Sequence, residues 1–239
     1  MGIDVCDKDY FMQIEKVHLA DYRDTGGSFI IVIDVLRAFT TAAYAFGSGA
    51  DEILLVGTAE EAMALKDQDP QLLLVGEDGG QMIPGFDFDN SPSRMSRADI
   101  SGKKLVLRTS CGTQGVVRCK NAEHLLTGSF PVAEATLREI QRTAPEKVTF
   151  IITGTPTGEE DWAFADYMED RLKGNKTFAE PYLQRVLRTH DAMSMLSKSN
   201  CPLTYLDDMH AAIQIDRFPF AMRVYNGNCL RVQTQTQNR

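Results

Sequence analysis

Short runs rich in Ile, Val and Leu alternate with longer amphipathic stretches along most of this chain. Parallel strands joined by crossover helices bury such a pattern, because helices on both faces leave the strands no polar side. The strand candidates are Phe29 to Val35, Glu52 to Val56, Leu72 to Val75, Leu105 to Thr109, Ala122 to Leu126 and Val148 to Thr153. Helical spacing marks Ala38 to Phe46, Ala59 to Lys66, Thr113 to Cys119, Val132 to Arg142 and Glu160 to Lys173. After Lys173 come a polar turn, helical stretches to about Ser197, the segment LDDMHAAIQI, and two short strand candidates, Met222 to Tyr225 and Cys229 to Val232. Asn226-Gly227 between them suits a hairpin turn. The expected fold is α/β with a mostly parallel sheet and a C-terminal helical and hairpin extension. It forms one domain over 1–239, divisible into lobes 1–173 and 174–239, with a frayed polar tail.

With 239 residues, 43% of them hydrophobic, the chain can bury a full core. Its net charge of -8 argues against a nucleic-acid backbone or an anionic membrane as principal partner, while permitting a local cationic pocket. The N-terminal stretch MGIDVCDKDYFMQIEK is acidic and lacks an apolar run, so neither a secretory signal nor a membrane span is expected there. Cys6, Cys111, Cys119, Cys201 and Cys229 are scattered without a CxxC pair, which suits free thiols in a reducing, cytoplasmic setting.

Ligands of open α/β sheets bind at the carboxyl ends of strands, so the polar residues there are the candidates for chemistry. Asp34 ends the first apolar run and Arg37 opens the next helix; they suit a Mg²⁺ ligand and a phosphate-oxygen donor, or else an internal ion pair capping that helix. Glu77 and Asp78 follow the third run, at the start of the long aperiodic segment Gly76 to Ser101, and loops of that length are usually functional. In that segment GFDFDNSPS supplies Asp87, Asp89, Asn90 and Ser91, short side chains that also serve turns. Arg108, Thr109, Ser110, Gly112 and Thr113 lead into a helix, where amides, hydroxyls and a glycine suit an anion. Glu159, Glu160 and Asp161 fall in a first helical turn, as metal ligands, as a base orienting water, or as partners of the helix dipole.

Other motifs fail in context. Asp87 and Asp89 imitate the DxDxT nucleophile of haloacid-dehalogenase phosphatases, but follow QMIPG where that motif needs a buried strand. Cys111 is placed like the nucleophile of a cysteine phosphatase, yet the arginine of CxxxxxR arrives one residue late, at Arg118. His18, His124, His190 and His210 show no ligand spacing, and Trp162, Phe164 and Tyr167 suit a packed helix face.

Taken in order, IDVLRAFTTA, VGEDGG with GFDFDNSP, LRTSCGTQGV, EEDWAFA and DDMHAAIQIDRFPFA resemble the 2-phosphosulfolactate phosphatase family, over about Phe29 to Val232. The resemblance implies a three-layer α/β/α fold and Mg²⁺-dependent hydrolysis of 2-phosphosulfolactate to sulfolactate and phosphate, a step toward coenzyme M. It places the family's blocks on Asp34 and Arg37, on Glu77, on Asp87, Asn90 and Ser91, on Thr109, Ser110, Gly112 and Thr113, and on Glu160 and Asp161. Asp78, Asp89 and Cys111 depart from the family pattern. The expected mechanism draws metal ligands from Asp34, Glu77, Glu160 and Asp161, with Arg37, Arg108 and the Ser110 to Thr113 amides cradling the phosphoryl group of a small anionic monoester. Asp34 is the first candidate should a nucleophile act. The rivals are a haloacid-dehalogenase-like phosphatase using Asp87 and a non-catalytic anion-binding protein on the same fold. Oligomeric state is left open, a homodimer included.

Overall fold

A computed structural model describes residues 12–23, 29–156, 158–189 and 204–233. Cys6, Cys201, His190, the end of the helical stretch expected to reach Ser197, the extreme N-terminus and the tail beyond Gln233 lie outside the described residues. In chain order the strands are β1 (Gln13–His18), β2 (Phe29–Ile33), β3 (Glu52–Leu55), β4 (Leu73–Asp78), β5 (Gln81–Met82), β6 (Lys104–Arg108), β7 (His124–Gly128), β8 (Lys147–Ile152), β9 (Ala221–Tyr225) and β10 (Cys229–Gln233). The helices are α1 (Ala38–Gly47), α2 (Ala59–Gln68), α3 (Pro92–Met95), α4 (Gly112–Arg118), α5 (Ala133–Thr143), α6 (Glu159–Leu172), α7 (Glu180–Leu187) and α8 (Tyr205–Ala212).

The strands make one sheet in the order β1-β8-β2-β7-β9-β10-β3-β6-β4-β5. β1, β8, β2 and β7 form one parallel block, and β3, β6 and β4 another. The hairpin β9–β10 joins them, antiparallel within itself and to both neighbours. The expected hairpin therefore lies inside the sheet, and its three antiparallel joints reverse the second block relative to the first. Asn226 and Gly227 both take positive φ (51° and 81°), as the central pair of a type I′ turn does, and Asn228 N donates to the Tyr225 carbonyl at 3.2 Å to close it.

All five residues of β2 are buried, as its continuous apolar character requires. Ile30 and Val32 point to one face, where they share a core with Ile53 and Leu55 of β3, Leu105 and Leu107 of β6, and Phe39 and Ala42 of α1. Phe29, Ile31 and Ile33 point to the other, against Ile140 of α5 and Phe164 and Met168 of α6; Tyr167 joins them and Trp162 packs at their edge. Leu74 and Val106 carry the outer face of the second block onto Ala62 of α2. Because the inner faces of both blocks meet around α1, the sheet curls about that helix, which is buried almost all round. Each block thus has helices on both faces, and the loops that end β2, β4, β6 and β8 are brought together.

Local signals fix the helix starts. Thr58 and Glu61 complete a capping box at α2, Thr58 Oγ1 accepting the Glu61 amide at 3.1 Å. Among the described residues no helix is long and apolar enough to cross a membrane.

Candidate active site

Asp34, Glu77, Glu160 and Asp161 are all buried, at 6%, 7%, 6% and 2% exposure, and their charges converge on the thiol of Cys111. Asp34 stands directly after β2, where its Oδ1 accepts the Ala38 amide at 3.0 Å and its carboxylate also accepts the Gly112 amide. Burial, reinforced by the charge of Glu77, pushes its carboxyl up to about 6. Asp161 comes from the first turn of α6. Its Oδ1 accepts Val35 N at 2.8 Å and its Oδ2 accepts Gly154 N at 3.1 Å, tying the loop after β2 to the loop after β8. Burial first, then the charges of Asp34 and Glu160, raise its carboxyl well above the usual range. Glu77 in β4 accepts Ser110 N on Oε1 at 2.7 Å and Gly80 N on Oε2 at 2.6 Å.

The amides expected to cradle a phosphate are therefore already engaged. Ser110 N donates to Glu77, Gly112 N to Asp34, and Thr113 N to Thr109 Oγ1 at 3.1 Å, while Thr109 N returns a bond to Thr113 Oγ1 at 2.9 Å. The physical reason is that two carboxylates, Glu77 in β4 and Asp34 after β2, reach these donors from different parts of the sheet and act as the anions the nest binds. Thr109 and Thr113, buried against each other, brace the turn. Gly112 is required there: a Cβ would lie 2.6 Å from Asp34 Oδ2 and 2.7 Å from the Ala38 Cβ.

Cys111 behaves unlike a phosphatase nucleophile. Burial and then the charges of Asp34, Glu77, Asp161 and Glu160 push its thiol up to about 12, so it stays protonated at neutral pH. Asp87 is equally unlike the haloacid-dehalogenase nucleophile: its Oδ2 accepts Leu74 N at 2.8 Å and pairs with Lys66 Nζ at 2.6 Å, toward the opposite end of β4 from Glu77.

Two arginines border the carboxylates. Arg37 does not pair with Asp34; its Nη1 donates to Asp208 Oδ2 at 2.7 Å, and its guanidinium lies over the Tyr205 ring at 5.5 Å. Arg108 Nη1 donates to the Glu77 carbonyl at 2.7 Å and to Asp78 Oδ1 at 3.0 Å, so Asp78 lays an exposed carboxylate beside that cation. Asn90 is 3% exposed, with Oδ1 buried and lacking a hydrogen-bond partner among the described residues, and Ser91 Oγ donates to Asp208 Oδ1 at 2.7 Å. His18 Nε2 lies 2.8 Å from the Gly154 carbonyl, one step behind Asp161. Asp208 was not among the residues expected from sequence. Its signal is an Asp on the buried face of an amphipathic helix, between Tyr205 and Ala212 at positions that otherwise carry core residues.

The donor set suits a hard divalent cation, since carboxylate oxygens repelling one another are relieved by positive charge. Among the described residues no three His, Cys, Asp or Glu side chains close into a cage.

A sequence profile of the 2-phosphosulpholactate phosphatase family matches residues 12–225. Curated proteins of similar sequence include one named a probable 2-phosphosulfolactate phosphatase in Bacillus subtilis (strain 168), 42% identical over 158 residues, which cover 65% of this chain and 69% of that protein. A protein of the same name in Deinococcus radiodurans is 40% identical over 126 residues, covering 52% of each chain. A third, in Parasynechococcus marenigrum, is 37% identical over 151 residues, covering 62% of this chain and 60% of its own. The aligned segments thus span between about half and seven-tenths of these relatives.

Proposed function

The chain belongs to the 2-phosphosulpholactate phosphatase family, and we propose that it hydrolyses 2-phosphosulfolactate to sulfolactate and phosphate with Mg²⁺. The observation that carries this reading is the convergence of Asp34, Glu77, Glu160 and Asp161 beside Arg37 and Arg108. Phosphoryl transfer depends mainly on charge neutralisation and positioning, and this arrangement offers both.

Arg37 and Arg108 face the anionic groups of the substrate, Arg108 exchanging Asp78 for a substrate oxygen. Asn90 adds a neutral amide beside them. Asp34, with its carboxyl near neutrality, takes the proton of the attacking water as the water oxygen bonds to phosphorus. The bond from phosphorus to the substrate alkoxide breaks, and the proton passes to that oxygen. Asp161 fixes the loops that frame Asp34, and Glu77 holds the Ser110 turn. Carboxylates drawn from Asp34, Glu77, Glu160 and Asp161 would hold a Mg²⁺ ion, which would neutralise charge on the phosphoryl oxygens. The free thiols and the small anionic substrate suit a cytoplasmic enzyme.

Phosphate release with Mg²⁺ from 2-phosphosulfolactate, 2-phospholactate and 2-phosphoglycolate tests the substrate. Selectivity of at least roughly tenfold for the sulfonate is expected, the scale of one charged contact. Preference for another ester overturns the substrate assignment. Silence with all three overturns turnover itself and favours an anion-binding protein on the same fold.

A further inference from the structure

Asp208 is fully buried in α8, yet it belongs to none of the family blocks placed on catalytic carboxylates. Its two oxygens face different parts of the site. Oδ2 accepts Arg37 Nη1 at 2.7 Å, while Oδ1 accepts Ser91 Oγ at 2.7 Å and Ser93 N at 3.0 Å. Ser91 Oγ in turn accepts the Arg94 amide at 3.3 Å as the cap of α3. One turn earlier on α8, Tyr205 sets its ring under the Arg37 guanidinium. A single helix therefore holds Arg37 from its end and its face, and by the same carboxylate holds the loop bearing Asn90 and Ser91.

A buried ion pair serving the fold alone would consume the guanidinium, usually through two parallel bonds. Here the contact is single. Arg37 is 6% exposed and makes no other side-chain hydrogen bond among the described residues, but none of its nitrogens is among the sealed, partnerless atoms. Its remaining N–H groups thus carry no hydrogen bond to the described residues. Resting on the phosphatase reading above, we infer that Asp208 is a positioning residue, which locks Arg37 and the Asn90–Ser93 loop into one anion-binding unit and aims the free edge of Arg37 at the phosphoryl group. The carboxylate also compensates the buried guanidinium, so that the cation keeps one orientation in the absence of substrate.

The test is a double-mutant cycle on the whole protein with Asp208→Asn, Arg37→Gln and both together, reading KM, kcat, the inhibition constant of inorganic phosphate and the melting temperature. Asp208→Asn is expected to raise KM and the phosphate inhibition constant roughly 10–100-fold, the scale of a misaligned binding group. In the Arg37→Gln background it should add less than about threefold, because it acts through Arg37. Should Asp208→Asn fail to fold, the double variant, a neutral hydrogen-bonding pair of similar volume, is compared with Arg37→Gln alone, and equal KM values are expected. Additive effects overturn the proposal, as does an Asp208→Asn enzyme within twofold of wild type when Arg37→Gln is impaired. If the wild type shows no turnover, the phosphatase reading fails separately. Calorimetry with inorganic phosphate then decides the unit: weaker binding by Asp208→Asn supports it, and equal binding, or none by the wild type, overturns it.

Discussion

Asp34→Asn is expected to lower turnover by roughly 10²–10⁴-fold while leaving the melting temperature at pH 8 unchanged or higher. The two effects have opposite signs for one reason. At pH 8 the native protein holds Asp34 ionised, buried and close to Glu77, which is unfavourable for folding and useful for binding positive charge or taking a proton. Asparagine removes the charge. It can accept both the Ala38 and Gly112 amides only through one oxygen, so it gives up about one hydrogen bond, on the order of 1 kcal/mol. Relief of the buried charge outweighs that. Steady-state phosphate release and thermal melting on the same preparation check both halves; a large drop in melting temperature together with lost activity would make Asp34 a structural residue.

The metal-free protein is expected to melt lower as pH rises from 5 to 8, by roughly 3–6 °C from Asp34 alone. Asp34 has its carboxyl pushed up to about 6, and Asp161 is displaced in the same direction. In the unfolded chain both release their protons near pH 4. Between those values the native state binds more protons than the unfolded state, so stability falls with rising pH. The contribution is fully present below the unfolded value and is lost as pH passes the folded value; for Asp34 alone it is on the order of 3 kcal/mol in full, of which about half is lost between pH 5 and 8. Glu52, Glu134, Glu169 and Asp170, held low by arginine, lysine and tyrosine partners, act in the opposite sense, but at more acidic pH. Melting curves in EDTA for wild type and Asp34→Asn check this, because the variant should show a flatter slope. A wild-type melting temperature that rises over this interval would contradict the electrostatics described here.

Much of the fold is legible locally. Phe29 to Ile33 is apolar at every position because helices cover both its faces, and Asn226-Gly227 announces its turn. β1 escapes such reading, since Gln13–His18 is a partly exposed edge strand whose pairing with β8 comes from tertiary contact. α3 is a single turn in a segment too short for periodicity. The hairpin's place between two parallel blocks depends on long-range pairing, which no local pattern encodes.

The site divides in the same way. Asp34, Glu77, Glu160 and Asp161 could be named because they lie at strand ends or first helical turns, where an α/β sheet gathers its ligands. The fate of the Ser110, Gly112 and Thr113 amides could not, because an anion nest is filled by whichever anion the fold brings, and here Glu77 and Asp34 fill two of those positions. The alternative reading of Arg37, an ion pair with its near neighbour Asp34, is not realised, because its partner Asp208 stands far along the chain and meets it only once α8 packs beside α3.

Phosphate release from 2-phosphosulfolactate by metal-stripped protein, before and after Mg²⁺ is restored, addresses the carboxylate centre most directly. Turnover should fall at least roughly 10²-fold on stripping and return on addition. Undiminished turnover in EDTA would contradict a centre in which these carboxylates work by holding a divalent cation.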